Sequence, residues 1–464
     1  MEEIKVKDIL KITKGELIIG NPEETCEKYA KDSREVQEGD IYIGIKGEKV
    51  NGSQYYEKAF ENGAKGCIIQ EIEIGETEKQ KYKNKTIIKV EDTTKALQQI
   101  ASYKRSKYNI PVIAITGSVG KTSTKDIVAN VVNQKYKTLK TIGNYNNHIG
   151  MPLTILNLKQ HEAIVLEMGM NHLKEISVLT QIAKPTIAVI TNVGTAHIGN
   201  LGSRENILKA KLEIIEGLQE GGKIVINNDN DLLHKWYKEN FEKYNIITYG
   251  IENSSQYMAK DIQSDEKGSK YTLEILDEQK NKSSKKIQIE VPVGGNHFVL
   301  NSLCAIAVGK QLNIEDEKIK QGIKEFELSK KRMDISEKNG ITIINDSYNA
   351  NYDSMKAAIE YLAKRPEKRK IAVLGDMLEL GEYSKQLHKK VGEEVVKNSI
   401  NILITVGTEA KNIVQIAKEG GIETIQCDTN EEAIQKLKSI INKGDCILIK
   451  ASNSMHFDEI VNKI

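Results

Sequence analysis

The chain has no surplus of charge, no paired cysteines and no long apolar run. Its 464 residues carry 67 Lys and Arg against 65 Asp and Glu, a net charge of +2. That balance argues against nucleic acid or an anionic membrane as the main partner. The five cysteines, at 26, 67, 304, 427 and 446, are odd in number and scattered, with no C-x-x-C. They suit a reduced, cytosolic protein rather than a disulfide framework. The opening Met-Glu-Glu-Ile-Lys is acidic and leads into no apolar stretch, so no secretory leader is expected. The longest uncharged stretch, near 185–203, is rich in Gly, Thr and Asn and is no membrane span. There is no tandem repeat, no low-complexity tract and no G-x-G-x-x-G.

What is present is a strand–helix rhythm long enough for several domains. Residues 1–107 carry short apolar runs at 40–45, 67–69 and 86–90 with helical segments between them, a small α/β domain. From 108 to 330 strands at 112–116, 163–168, 187–191 and 224–227 alternate with helices, which predicts a parallel sheet. Residues 270–276 and 286–291 alternate apolar and polar around a polar turn, which predicts an appended antiparallel meander. A helix over 296–312 follows. Residues 331–464 repeat the rhythm, with strands at 341–345, 371–374, 402–406 and 446–449, a doubly wound α/β pattern.

The most specific motif lies at the first strand of the middle segment. Val112-Ile-Ala-Ile-Thr116 runs into Gly117-Ser118-Val119-Gly120-Lys121-Thr122-Ser123. Two glycines let backbone N–H groups close around phosphate oxygens. Lys121 would reach the β/γ-phosphates, and the Thr122 hydroxyl would hold Mg²⁺. Apolar residues 127, 128, 131 and 132 keep helical spacing, so a helix N-terminus points at the anion. The first glycine stands at 117, where the usual P-loop would put it at 115, so the motif is a compressed form. The competing reading is a turn that binds nothing.

Three further residues are candidates for chemistry. Glu167 ends the strand beginning at Ala163, where a carboxylate beside a phosphate loop can hold Mg²⁺. His197 ends the loop Thr191-Asn-Val-Gly-Thr-Ala-His197 after the next strand, and in that company it reads as a ligand. Lys211, in Ile207–Glu216, reads on residues alone as a solvated charge on an amphipathic helix. Asn442-Lys-Gly-Asp445 matches the guanine-reading N-K-x-D, but it lies over 300 residues from the loop and reads as a helix-ending turn.

Together these motifs resemble the ATP-dependent Mur ligases of peptidoglycan synthesis, across essentially the whole chain. The stretches that carry the resemblance are the loop, Gly143–Pro152, Glu167–His172, Asp346–Asn351 and Val373–Gly381. The last two are similar to members that join D-alanyl-D-alanine to a UDP-N-acetylmuramoyl-tripeptide, rather than to those that add single amino acids. The resemblance implies three α/β domains (1–107, 108–330 and 331–464) that bind the UDP-muramoyl peptide, bind ATP and close over the acceptor. It implies ATP and Mg²⁺ as cofactors and a cytoplasmic monomer.

Residue by residue, Lys121, Lys211, Glu167 and His197 resemble the catalytic set, with Thr122, Glu167, His197 and a carbamylated Lys211 at the metal. Gly117 to Ser123, Asn296, His297, Asn301, Arg332 and Asp346 resemble the nucleotide contacts. Asp32, Ser33, Arg34, Gly47, Asn51 and Gly52 resemble the uridine pocket, and Asn146, Asn147, Asn349, Asn351 and Asp353 further substrate contacts. Two departures stand out. Asn351-Tyr352-Asp353 replaces Asn-Pro-Asp, and Lys450-Ala-Ser-Asn453 replaces Lys-Gly-Ser-Arg. Rival readings are another Mur-type or folylpolyglutamate-type ligase, or a homologue that binds ATP and UDP-sugar without turnover.

Overall fold

The computed structural model describes residues 3–277 and 282–464. Its strands form three separate sheets, each flanked by helices, giving three sheet-containing α/β domains. In the first sheet Glu16–Ile19 lies antiparallel to Thr86–Lys89. Gly66–Ile69, Ile41–Ile43 and Tyr29–Ala30 then follow in parallel.

The central sheet has nine strands. Val112–Thr116 sits in its middle, parallel to Ala163–Glu167 on one side and Ile187–Ile190 on the other. All three strands are fully buried, as their unbroken apolar runs require under helices on both faces. Each buried Ile or Val there contributes about 1.5–3 kcal/mol. The chain crosses to one side of Val112–Thr116 first and to the other side later. Loops from the C-terminal ends of these strands therefore diverge around one crevice. Lys223–Asn227 and Ile246–Gly250 extend the parallel part. Tyr257–Ser264, Ser269–Asp277 and Lys282–Val291 form the antiparallel meander, one strand more than expected. The polar turn between its last two strands lies at 278–281, outside the described residues.

The third sheet runs Asp334–Lys338, Ile341–Asn345, Asp445–Lys450, Arg369–Gly375, Ile402–Val406, Glu423–Cys427, parallel except for the first pair. The N-K-x-D stretch is a turn, as expected. Asn442 N donates to Asp445 Oδ2 at 2.7 Å, and Asp445 takes both prongs of Arg369 at 2.9 and 2.7 Å. The third domain touches the central one directly. Thr195 N and Oγ1 donate to Asp353 Oδ2 at 2.7 and 2.9 Å. All five cysteines are buried and unpaired. Among the described residues no helix is long and apolar enough to cross a membrane.

Candidate active site

Two glycines shape the phosphate loop. A Cβ on Gly117 would stand 1.9 Å from Thr191 Oγ1, so the loop reaches its neighbour only without a side chain there. Gly120 has φ +78° and caps the helix Lys121–Asn133, a backbone state that glycine adopts freely. The adjoining strand end clamps the loop. Asn192 Oδ1 accepts from Val119 N and its Nδ2 donates to Val119 O, both at 2.9 Å. Ser118 Oγ accepts from Gly194 N at 2.9 Å. The helix N-terminus, with its unpaired N–H groups, opens onto the crevice as an anion site.

Lys121 folds back over its own loop, donating to Gly117 O at 2.7 Å and Ser118 O at 3.4 Å. Burial of that ammonium holds it below the usual lysine value. Arg332 adds to the effect and the Glu167 carboxylate opposes it. Thr122 Oγ1 donates to Glu167 Oε2 at 2.8 Å, and Asn146 Nδ2 donates to Oε1 at 2.8 Å. A hydroxyl and a carboxylate meeting at a loop built for phosphate make the hard-oxygen set that Mg²⁺ takes, so these residues fit that ion. Among the described residues no three His, Cys, Asp or Glu side chains form a metal-holding group. His197 lines the same cleft, but its Nδ1 lies 2.6 Å from Glu379 Oε2 of the third domain.

The cleft, of about 390 Å³, spans both domains. Its central wall carries Ser118 to Ser123, with Asn146, Asn147, Glu167 and Asn301. Its third-domain wall carries Arg332, Asp346, Asn349, Asn351 and Lys450. Arg332 lies 3.7 Å above the Tyr348 ring, a cation–π contact that orients the guanidinium. Asp346 Oδ2 accepts from Lys450 Nζ at 2.6 Å, and Lys450 also donates to Asn349 O at 2.9 Å. Asn301 Oδ1 accepts from Thr124 Oγ1 at 3.0 Å, tying the helix Asn296–Gln311 to the loop helix. Burial pushes the His297 imidazole down to about 4. Asn296 stands outside the main cleft and, with His297, lines an adjoining cavity of about 120 Å³.

Several expected site residues lie elsewhere. Gly117 and Asp353 do not line the cleft, and Asp353 is engaged by Thr195. The first-domain group is separate from it as well. There Arg34 grips Asp32 through two hydrogen bonds of 2.9 and 2.6 Å, which holds the Asp32 carboxyl at about 2. Ser33 is buried, Asn51 Oδ1 accepts from Ser53 N at 3.0 Å, and Gly47 and Gly52 turn the adjoining backbone. Lys211 is not the solvated charge that its helix pattern suggests. It is 1 % exposed in Arg204–Leu212, and the described residues give its side chain neither a hydrogen bond nor an ion pair. Burial drives its pKa well below the usual lysine value, and the Lys121 charge adds to the effect. It does not line the cleft.

Models of three Mur domains match the chain in order. The Mur ligase family, catalytic domain, covers residues 29–105. The Mur ligase middle domain covers 115–309, and the Mur ligase, glutamate ligase domain, covers 331–453. The UDP-N-acetylmuramoyl-tripeptide–D-alanyl-D-alanine ligase of Bacillus subtilis is 36% identical over 99% of this chain and 98% of its own. The chain belongs to the Mur ligase family. Among solved structures, MurF from Acinetobacter baumannii superposes with a TM-score of 0.88 at 27% identity, covering 100% of this chain and 98% of that one. MurF from Thermotoga maritima in complex with ADP gives 0.81 at 28% identity, covering 94% and 96%.

Four residues of this Mur ligase cleft or its rim went unremarked in the sequence. Asn192 and Thr191 hold the phosphate loop, and the polar pair directly after an apolar strand was their signal. Lys450 sits within a motif noted only for its departures. Glu379, inside the Val373–Gly381 run, had no local signal, because its partner lies 182 residues away.

Proposed function

We propose that this Mur ligase joins D-alanyl-D-alanine to UDP-N-acetylmuramoyl-tripeptide with ATP, through an acyl phosphate. The carrying observation is one cleft holding the phosphate loop, the Thr122–Glu167 pair and third-domain polar groups that face them. In this reading residues 1–107 hold the UDP sugar through Asp32, Ser33, Arg34 and the turns at Gly47 and Asn51–Gly52. Residues 108–330 bind ATP, and residues 331–464 bring Arg332 and Asp346 to the nucleotide and Asn349 and Asn351 to the acceptor.

The terminal carboxylate of the tripeptide attacks the γ-phosphate, releasing ADP. The dipeptide amine then attacks the acyl phosphate, and a tetrahedral intermediate collapses to amide and phosphate. A free carboxylate is a poor electrophile, so activation must come first. Lys121, the loop N–H groups and Arg332 stabilise charge on the transferring phosphoryl group. Thr122, Glu167 and His197 would hold Mg²⁺, which supplies Lewis-acid charge neutralisation at the phosphates when bound. Asn146 fixes the Glu167 carboxylate. Packing of the third domain over the cleft keeps water from the acyl phosphate.

Lys211 completes the reading. Its neutral amine adds CO₂, losing one proton, to give a carbamate. The side chain thereby becomes an anion whose oxygens would suit Mg²⁺. The reaction belongs in the cytoplasm, in keeping with five unpaired thiols. The test is mass spectrometry of the product from ATP, D-alanyl-D-alanine and UDP-tripeptides ending in lysine or diaminopimelate. A joined pentapeptide with ADP is expected. Efficient use of a single amino acid as acceptor would move the protein to a sister activity.

A further inference from the structure

The Asp376–Gly381 run does not line the cleft. It packs on the central domain beside His197. Glu379 O accepts from Gly199 N at 3.1 Å, and Tyr383 Oη donates to Gly202 O at 2.5 Å. Leu380, Ile198 and Leu201 are buried around this contact. At its centre Glu379 Oε2 lies 2.6 Å from His197 Nδ1. Both residues hold a left-handed backbone, each with φ +62°. Non-glycine residues occupy that region only where their surroundings hold them there, and such positions cluster at functional sites.

We propose that Glu379 is a positioning residue that makes the packing of the two domains and the setting of the His197 imidazole one event. A carboxylate only accepts, so the hydrogen on the ring must sit on Nδ1. A ring that ligates a metal is neutral, and with its hydrogen on Nδ1 it offers the lone pair on Nε2, the nitrogen that remains for a ligand. The carboxylate comes from the third domain and the imidazole from the central one. With the domains apart, His197 is free to choose either tautomer and to turn about χ1 and χ2. With them packed, one tautomer and one orientation are fixed. This inference rests on His197 being a metal ligand, as read above. An outer carboxylate on a ligating histidine typically changes metal affinity by about 10- to 100-fold.

The test uses the full chain with Mn²⁺ and the non-hydrolysable β,γ-methylene analogue of ATP. Mn²⁺ binding is followed by electron paramagnetic resonance, and the ring nitrogens of ¹⁵N-labelled histidine by NMR, with His197→Gln identifying the His197 signals. Glu379→Ala should raise the Mn²⁺ Kd about tenfold or more and move the His197 ring from an Nδ1–H form toward a tautomer mixture. Glu379→Gln, whose amide can accept from Nδ1, should recover part of both. Tyr383→Phe removes an interdomain hydrogen bond without touching the ring, so it should leave the nitrogen signals in place. Parental nitrogen signals in Glu379→Ala, or an equal change in Tyr383→Phe, would overturn the proposal. A parental Mn²⁺ Kd in His197→Gln would instead overturn the metal reading on which it rests.

Discussion

Lys211 and Lys450 are buried almost equally, at 1 % and 2 % exposure, in two regions that face the same chemistry. Lys450, on the third domain, sits among acceptors: the Asp346 carboxylate at 2.6 Å and the Asn349 carbonyl at 2.9 Å. Lys211, in the central domain, has no side-chain partner among the described residues, and the charge that acts on it is the like charge of Lys121. A buried ammonium with a carboxylate beside it is stable as a cation. One without a partner gives up its proton instead. One burial thus produces an ion-pair strut, and the other a lysine whose charged form is disfavoured. Low exposure is therefore no guide to a lysine's role until its partners are named.

The sharpest break in this comparison is Lys211→Ala. It should lower phosphate release by about a thousandfold, as expected on losing a preorganised charged group. Acetate or formate should restore part of that activity by filling the vacated oxygen site. Full activity without rescue would return Lys211 to a packing role. Stability supplies the converse. Lys450→Met strands the Asp346 carboxylate and should cost about 3–5 kcal/mol, read as a lower denaturation midpoint. Lys211→Met removes an ionisable group that has no partner, so its midpoint should hold or rise. If the two methionine variants lose stability equally, the distinction between the two lysines fails.

Lys121→Ala sharpens the contrast, since the Lys121 charge acts on Lys211. Turnover should fall about a hundredfold with little change in folding, checked by steady-state phosphate release against thermal melting. The smallest effect concerns a half-buried base. His297 is held at about 4, below the ordinary imidazole value of 6.5. Between those values the unfolded chain binds more protons than the folded one. Stability is therefore complete above 6.5 and declines as pH falls toward 4. His297→Gln should flatten that part of the pH–stability curve.

Much of this was legible in the sequence, and the rest was hidden for physical reasons. Val112–Thr116, Ala163–Glu167 and Ile187–Ile190 announce themselves, because strands covered on both faces must be apolar throughout. Thr138–Lys140 and Asp334–Lys338 do not. They are edge strands, partly exposed, and their residues are as polar as a loop's. Gly120-Lys121-Thr122 was readable because its function depends on residues adjacent in the chain. On its residues alone Lys211 reads as solvated, because its helix has charges on several sides and periodicity cannot say which side faces the interior. The Glu379–His197 contact joins two domains, and no window of sequence holds both.

The Lys121 ammonium has two acceptors within its own loop, at Gly117 O and Ser118 O. For the reaction proposed above, the consequence concerns the end of the catalytic cycle. When a phosphate oxygen departs, the cation has a hydrogen-bonded resting place 2.7 Å from Gly117 O rather than an empty low-dielectric corner. Product escape therefore leaves no stranded charge behind. Small free anions must displace an existing internal bond to enter, which biases the loop toward nucleotides that bring further contacts of their own.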